Sequence, residues 1–303
     1  MAVDSFDSVK QAVTGGIEQS EGILEPLAEP LQNAISKLIE MGGEPARNAK
    51  TFLNGTWLGH PLHPVLTDLP IGAWTSALLL DLVGFKRAAD SMVGWGIVAA
   101  VPTALAGLAD WHDTMGQPRK VGMAHATFNS LALTSYVGSW YARKGGNRGL
   151  GVGLSTLGFM LSLGGAYLGG ELVYRLGTIV DRTAFDPETD EFRVVARADE
   201  LQEGKLVGGE IEVDGVQVPI VLLKRGETIH ALHGRCAHMG GPLVEGKVVD
   251  GRCVECPWHG STFDMRDGAV VQGPSAFPQP YYEARVRDGN VEVRLDPSSF
   301  KHS

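Results

Sequence analysis

The sequence predicts a multidomain α + β protein, in which an N-terminal four-helix transmembrane bundle is followed by an all-β domain. Two observations predict this fold class. Between Pro64 and Gly170 there are four long apolar stretches, each close to the ~20 residues that a helix needs to cross a bilayer. After about Asp181 the chain alternates short apolar runs with turn residues, as strands do. Over the whole chain only 44% of the 303 residues are apolar, because the residues outside the four stretches are much more polar than those within them.

Residues 1–55 form a polar N-terminal segment with periodic apolar positions. The period is that of an amphipathic helix with prolines near its start, and we expect it to lie on the membrane surface or to pack on the β domain. Lys and Arg are scarce here, so electrostatic binding to anionic lipid is not expected. The first twenty residues carry acids and no apolar core, which predicts that no cleavable signal peptide is present. The apolar positions are Ile23, Leu24, Leu27, Leu31, Ile35, Leu38 and Ile39.

The four apolar stretches form the predicted transmembrane domain, residues 56–170. We place its helices at 64–84, 91–109, 121–142 and 149–169. They are rich in Gly, Ala, Ser and Thr, which allow membrane helices to pack closely. A soluble bundle with buried helices is the alternative, but four stretches joined by linkers of six to eleven residues favour the membrane. Residues 171–185 are the predicted tether to the β domain, which we place at 186–303.

Motifs in this region resemble a known family. Residues 59–64 read G-H-P-L-H-P, and L-T-D-L-P-I-G-A-W follows at 66–74. Together with L-A-D-W at 108–111 and the region from His125 to Asn129, they resemble a family of four-helix bacterial membrane proteins of unknown function. The resemblance implies the bundle and brings almost no biochemistry with it.

Four histidines are candidates for a second site in the membrane domain. With an even number of crossings, His60, His63, His112 and His125 lie at one face, which also bears the β domain. They could ligate a b-type haem, bind a metal ion or exchange protons with a quinone. The alternative is a structural role, in which the His-Pro pairs cap the first helix and contact headgroups. His63 and His125 are the preferred pair, because each lies at the start of an apolar helix.

The β domain carries two pairs of metal-binding residues. Cys236 and His238 form the first pair, and Cys256 and His259 form the second after seventeen intervening residues. Two thiolates and two imidazoles on short loops suit a [2Fe–2S] cluster, with one iron held by sulfur and the other by nitrogen. A structural zinc site is the alternative, but zinc fingers usually pair Cys with Cys and His with His.

The residues around the two pairs favour the cluster. The loops read C-A-H-M-G-G and C-P-W-H-G-S, and both closely resemble the cluster-binding loops of Rieske iron–sulfur proteins. The stretch H-G-S-T-F-D-M-R-D-G and the Pro-rich segment after it are similar to the end of a Rieske domain, so the resemblance covers about 115 residues. It implies that Cys236 and Cys256 hold the ferric iron and that His238 and His259 hold the iron that is reduced.

Departures from the high-potential members of that family imply a low reduction potential. Their loops carry a disulfide, whereas the matching positions here are Gly241 and Trp258. Ser261 matches the hydroxyl that hydrogen-bonds a bridging sulfide, but Phe263 replaces a tyrosine that supplies a further donor. Fewer donors stabilise the reduced cluster less, so we expect a potential of about −150 mV rather than +300 mV. The loops therefore resemble those of Rieske ferredoxins and ring-hydroxylating oxygenases, and Cys253 is expected to be a buried apolar residue.

The apolar runs of the β domain predict its strands. We place strands at 192–196, 216–224, 228–232, 283–287 and 291–295. Asp214-Gly215 and Asp288-Gly289 are predicted hairpin turns, because Gly supplies the positive φ that such turns require.

We expect a membrane-bound electron-transfer protein, whose cluster passes single electrons between a soluble donor and a membrane acceptor. The acceptor is a quinone, a haem or a partner protein. The alternatives are a redox or iron sensor and a cluster-gated transporter, which would need an oligomer. The sequence shows no separate catalytic centre of the oxygenase type, and the net charge of −9 argues against nucleic acid binding.

The orientation in the membrane is predicted from cluster chemistry rather than from charge. The loops on the two sides of the bundle carry five Lys and Arg each, so the positive-inside rule gives no answer. Clusters are inserted in the cytoplasm, and neither a twin-arginine signal nor a disulfide is expected. We therefore predict a multi-pass protein of the bacterial inner membrane whose Rieske domain faces the cytoplasm.

Overall fold

The computed structural model describes residues 21–296 and residue 299. The expectation about a signal peptide therefore lies outside the described residues. The chain divides into two compact units. One comprises the chain up to Arg47 together with His63–Thr178, and the other comprises Asn48–Leu62 together with the chain from Ile179 onward.

Five α-helices precede the β domain in the described part of the chain. The first contains the predicted amphipathic helix and is kinked at Gly43, where a φ of 60° interrupts the helical backbone. A 3-10 turn at Thr56–Leu58 follows it, and a π turn at Glu171–Arg175 follows the last helix. The five helices are α1 (Glu21–Leu53), α2 (Leu62–Leu82), α3 (Lys86–His112), α4 (Gly116–Lys144) and α5 (Arg148–Gly170).

The predicted four-helix bundle is confirmed, since each of the four apolar stretches coincides with one of the helices α2 to α5, and only the first extends beyond its helix, by two residues past Leu82. Among the described residues, three helices are long and apolar enough to cross a membrane: Leu62–Leu82, Lys86–His112 and Arg148–Arg175. Helix α4, which holds the stretch 121–142, is not one of them. It begins with G-Q-P-R-K, ends with A-R-K and carries polar residues between, so its mean hydropathy is lower.

The helices α2 to α5 form two equivalent hairpins, α2–α3 and α4–α5. Each hairpin turns at a glycine with positive φ, 84° at Gly84 and 81° at Gly146. These glycines are 62 residues apart, and the same offset aligns His63 with His125. The membrane domain is therefore an internal repeat of one helical hairpin.

Equivalent residues of the two hairpins contact each other along α2 and α4. Trp74 stacks on Tyr136 with ring centres 4.0 Å apart and 9° between the planes. Arg143 Nη1 donates to Asp81 Oδ1 at 3.1 Å. Both pairs are related by the offset of 62 residues. Because equivalent positions can touch only beside the axis that relates two repeats, these contacts mark a local two-fold axis.

Arg143 is the centre of a buried charge network at one end of that axis. The side chains of Arg143 and Asp81 are 1% and 5% exposed. Arg143 also donates to Asp90 at 2.8 Å, and Arg148 pairs with Asp90 at 2.7 Å and with Asp81. The network ties both hairpins together through charge-assisted hydrogen bonds.

Replacing Arg143 with Ala is expected to lower the free energy of unfolding by about 3–5 kcal/mol, because the change leaves a buried carboxylate without its main partner. The matched control is Arg87→Ala at an exposed position of α3, which we expect to change stability by less than about 0.5 kcal/mol. Thermal unfolding of the detergent-purified variants measures both. Equal stabilities for the two variants would contradict a structural role for the network.

The β domain contains two antiparallel sheets. The larger has the strand order β1-β10-β9-β4-β3-β2, and the smaller has the order β5-β6-β7-β8. Two strands of the smaller sheet, β6 and β7, flank the loop that contains Cys256 and His259. The strands are β1 (Arg193–Arg197), β2 (Leu206–Val213), β3 (Val216–Arg225), β4 (Thr228–His233), β5 (Lys247–Val249), β6 (Cys253–Glu255), β7 (Thr262–Asp264), β8 (Val270–Gln272), β9 (Tyr281–Arg287) and β10 (Asn290–Leu295).

All five predicted strands are confirmed, as β1, β3, β4, β9 and β10. Both predicted hairpin turns are confirmed as well. Asp214 and Asp288 have φ values of 50° and 51°, and Gly215 and Gly289 follow at 81° and 78°. Two successive positive φ values match the twist of the flanking strands.

The apolar pattern did not predict β2 or the four strands of the smaller sheet. Two adjacent glycines interrupt the pattern of β2, and a Cβ at Gly209 would lie 2.3 Å from the carbonyl oxygen of Val195. Close approach of another strand therefore requires glycine there. The strands of the smaller sheet are three residues long, which is too short for a period to be recognised.

Candidate metal centre

Two loops with the same main-chain hydrogen bonds carry the predicted cluster ligands. Loop 1 is residues 236–241 and loop 2 is residues 256–261. In each loop, the main-chain N–H of the cysteine donates to the carbonyl of the residue five positions later, at 2.8 Å. The N–H of the glycine four positions after the cysteine donates to the carbonyl of the cysteine, at 2.8 Å in loop 1 and 3.1 Å in loop 2. Those glycines, Gly240 and Gly260, have φ values of 83° and 76°, a conformation that favours glycine.

The thiols of Cys236 and Cys256 are buried and face each other. Their mutual hydrogen bond is the main cause that lowers the pKa of Cys256 to about 7, and the same bond, together with burial, raises the pKa of Cys236. The sulfur of Cys256 also accepts the N–H groups of Trp258 and His259. Main-chain donors aimed at sulfur stabilise a thiolate, which is the form that binds metal.

The two predicted imidazole ligands lie next to each other. The ring centres of His238 and His259 are 5.2 Å apart and the planes are perpendicular, at 90°. A metal about 2.1 Å from an imidazole nitrogen lies about 3.2 Å from the ring centre, so two imidazoles at a tetrahedral angle have centres about 5.2 Å apart. The separation therefore fits two imidazoles on one tetrahedral metal.

Glycine at position 241 keeps space beside the thiols. A Cβ there would lie 2.9 Å from Cys256 Sγ and 3.1 Å from the Trp258 ring. All three cysteines are free in the structure, and the expected absence of a disulfide in solution stays a prediction. Cys253 is buried on β6, as expected, and burial raises the pKa of its thiol.

A third loop, residues 273–279, supports loop 2. Ser261 is fully buried, and its Oγ accepts the N–H of Ser275 at 3.0 Å. This bond uses a lone pair of the hydroxyl and leaves its proton to donate elsewhere. Phe263 is also fully buried, in the same apolar core as Cys236 and Cys256.

Gln279 in the third loop positions loop 1, and the sequence analysis missed it. Its side chain is fully buried. Oε1 accepts the N–H of Ala237 at 2.9 Å, and Nε2 donates to the carbonyls of His233 at 2.9 Å and Arg235. One amide thus holds the main chain on both sides of Cys236.

The segment before β1 also contributes to loop 1. The N–H of Arg182 donates to the carbonyl of Ala237 at 2.9 Å. Asp186 Oδ2 lies 2.8 Å from Nε2 of the buried His233, and burial lowers the pKa of that imidazole while Asp186 partly opposes the shift. Residues in and next to the predicted tether therefore support the site, and the predicted domain limits remain predictions.

The end of α1 and the turn after it contact the third loop. Thr56 Oγ1 donates to the carbonyl of Ser275 at 3.0 Å, and Thr51 Oγ1 accepts the N–H of Gly273 at 3.3 Å. Asn54 between them is buried. Sequence reasoning missed this contact, because it divides the chain between the N-terminal segment and the membrane domain at position 55.

The four membrane histidines have different surroundings. The ring centres of His63 and His125 are 6.1 Å apart. The ring of His112 instead lies 2.9 Å from Ser36 Oγ and 3.0 Å from Asp113 Oδ1. His60 is exposed, and its Nδ1 lies 3.2 Å from the carbonyl of the next residue.

Comparisons with known proteins agree with this geometry. Residues 191–283 match the family model described as "Rieske [2Fe-2S] domain". The ferredoxin subunit of anthranilate 1,2-dioxygenase from Burkholderia cepacia is 42% identical over 79 residues, which are 26% of this chain and 72% of that protein. The chain belongs to the Rieske [2Fe–2S] proteins. Residues 59–182 match the model "Predicted membrane protein (DUF2231)", so a Rieske domain and a membrane domain share one chain.

Two further similarities concern the Rieske domain. A human Rieske domain-containing protein is 30% identical over 141 residues, which are 40% of this chain and 87% of that protein. The solved ferredoxin of carbazole 1,9a-dioxygenase from Nocardioides aromaticivorans IC177 is 27% identical, with a TM-score of 0.31, and the match covers 35% of this chain and 100% of that one. The Rieske domain implies a [2Fe–2S] cluster rather than the zinc alternative.

Proposed function

We propose that this chain is a membrane-bound electron carrier, in which Cys236, His238, Cys256 and His259 hold one Rieske [2Fe–2S] cluster. The observation that carries the proposal is the pair of matched loops, which place two thiols in contact and two imidazoles at the separation for one tetrahedral metal. Cys236 and Cys256 would ligate the iron that stays ferric, and the two histidines the iron that is reduced. Bound there, the cluster supplies one-electron redox chemistry.

The exposure of the site indicates where electrons leave. His238 is buried, whereas His259 is half-buried and adjoins Trp258, which is 52% exposed. An exposed aromatic beside a redox ligand is a suitable contact for a partner protein, because aromatic residues contribute much of the binding energy of interfaces. The Burkholderia relative is named as a ferredoxin subunit of a dioxygenase, which supports transfer to or from a protein partner.

The membrane domain supports a membrane-bound acceptor, which is a quinone, a haem or a partner protein. The full chain, purified in detergent and placed in liposomes with or without a quinone, tests this step. After anaerobic reduction of the cluster, we expect its visible absorbance to recover as one electron per chain leaves. A cluster that stays reduced with quinone and with membrane extract would contradict the carrier and favour a redox sensor or a cluster-gated transporter.

We also propose that the protein lies in the bacterial inner membrane with the Rieske domain in the cytoplasm. The free thiols of all three cysteines support a reducing compartment. Fusions of a fluorescent protein and of alkaline phosphatase to the C-terminus report the side: fluorescence without phosphatase activity is expected. The reverse pattern would place the Rieske domain outside the cytoplasm.

Replacing Ser261 with Ala is expected to lower the midpoint potential of the cluster. A hydrogen bond to a charged acceptor contributes about 1.5–3 kcal/mol, and only the part that is gained on reduction moves the potential, so the shift is at most about 60–130 mV for a one-electron couple. The matched control is Ser275→Ala, which keeps the N–H that bonds Ser261 Oγ and should shift the potential much less. A redox titration followed by visible absorbance measures both, and equal shifts would contradict a direct bond from Ser261 to the cluster.

A further inference from the structure

The internal repeat places two histidines at equivalent positions of the membrane domain. His63 and His125 are 62 residues apart in the sequence, the offset that relates the two hairpins. Their rings contact each other across the local axis, with centres 6.1 Å apart and planes at 84°. Like Trp74 with Tyr136 and Asp81 with Arg143, the two histidines form a contacting pair related by the repeat, and both members of this pair are imidazoles, which bind metals.

Both rings are held in the same way by the second helix of their own hairpin. Nδ1 of His63 lies 2.8 Å from the carbonyl of Thr103, and Nδ1 of His125 lies 2.8 Å from the carbonyl of Gly165. A carbonyl only accepts, so each Nδ1 carries the proton and each Nε2 carries a lone pair. Metal-binding histidines are commonly oriented by such a bond from their other nitrogen.

Equivalent glycines leave space for the two rings. A Cβ at Gly107 would lie 2.7 Å from Cε1 of His63, and a Cβ at Gly169 would lie 3.3 Å from Cε1 of His125. The two glycines are also 62 residues apart. Both hairpins therefore have the same three features: a histidine, a main-chain carbonyl that orients its ring, and a glycine that leaves space for the ring.

The separation of the rings distinguishes this pair from the cluster histidines. Two imidazoles on opposite sides of one metal have ring centres about 6.4 Å apart, against about 5.2 Å at a tetrahedral angle. The value for His63 and His125 is 6.1 Å, close to the opposite arrangement. Two ligands opposite each other leave a plane of four positions, which a porphyrin fills with its nitrogens.

The described contacts of the two rings are with each other, with Thr103, with glycines and with the Asn129 amide. None of these contacts brings a carboxylate or a thiol to the pair. We infer that His63 and His125 are the axial ligands of a single b-type haem on the axis of the membrane domain. Its role as acceptor rests on the proposed function: one electron from the reduced cluster would convert ferric to ferrous haem and leave the cluster oxidised.

The test uses the full chain purified in detergent from cells supplied with a haem precursor. A pyridine haemochrome assay and metal analysis measure haem and bare metal per chain in the wild type and in His63→Ala, His125→Ala and His60→Ala. We expect one haem in the wild type and in His60→Ala, whose ring is exposed, and at least a tenfold loss in each of the other two. Visible absorbance of the cluster in every sample shows whether the variants have folded.

Three results would overturn the inference: a wild type with an intact cluster and no haem, haem retained in both ligand variants, or another metal bound in place of haem. If either alanine variant fails to fold, His63→Met and His125→Met replace it, and a shifted haem spectrum is then expected, because Met is an alternative axial ligand. Failure of the proposed function is a separate outcome. It would be seen as haem that stays oxidised while the cluster is reduced.

Discussion

Replacing Cys256 with Ser is expected to abolish cluster binding. The thiol of Cys256 faces that of Cys236 and accepts two main-chain N–H groups, and a hydroxyl is a much poorer ligand for iron than a thiolate. We expect iron and acid-labile sulfide to fall at least tenfold, and the broad visible absorbance of the cluster to be lost. Iron and sulfide analysis of the purified protein measures the effect directly.

Cys253→Ser is the matched control, because Cys253 is also buried and lies only three residues away. It is on β6 and outside both loops, so the variant should retain the cluster even if its stability falls. Cluster loss in Cys253→Ser together with retention in Cys256→Ser would contradict the ligand set.

Replacing Gln279 with Glu is expected to destabilise loop 1. A carboxylate of nearly the same shape can still accept the N–H of Ala237, but it cannot donate to the carbonyls of His233 and Arg235. Loss of two buried hydrogen bonds corresponds to about 2–5 kcal/mol. We therefore expect a lower unfolding temperature of the Rieske unit and a cluster that is lost faster on dilution with a chelator.

Gln202→Glu provides the comparison for Gln279→Glu, because it makes the same chemical change at an exposed position of the Rieske unit. We expect it to alter stability by less than about 0.5 kcal/mol. If both variants lost the cluster at the wild-type rate, the role of Gln279 in positioning loop 1 would be wrong.

The sequence predicted the cluster ligands, because they lie on short loops whose residue order is itself the signal. Gln279 gives no such signal. It is 42 residues from Ala237 in the chain and reaches loop 1 only after β9 has paired with β4. Thr51 and Thr56 are further still from the third loop, more than 200 residues away. Contacts of this kind depend on tertiary packing, which periodicity and motifs do not report.

The internal repeat is visible in the sequence only after the structure shows where to look. Identical residues at the offset of 62, such as Gly84 with Gly146 and Gly96 with Gly158, are few. The residues that meet on the axis are complementary instead of identical, since Asp81 pairs with Arg143. A comparison of residue types therefore finds no match at positions 81 and 143, although these equivalent residues contact each other.

The preference for His63 and His125 among the four histidines was argued from their places in apolar helices. The structure adds the contact between the two rings, and it adds the orienting carbonyls of Thr103 and Gly165. Neither partner could be predicted, because main-chain acceptors leave no trace in the residue type. The assignment of a ligand role to this pair remains a proposal.

The measurement that tests the central claim most directly is pulsed EPR spectroscopy of the reduced protein. A Rieske cluster held by His238 and His259 should show hyperfine couplings from two imidazole nitrogens, and His259→Ala should remove one set or the whole cluster. Couplings from two nitrogens that disappear in His259→Ala but persist in His230→Ala, a histidine on β4 outside both loops, are the predicted result. A reduced protein without nitrogen couplings, or one that binds zinc in place of iron, would contradict the account.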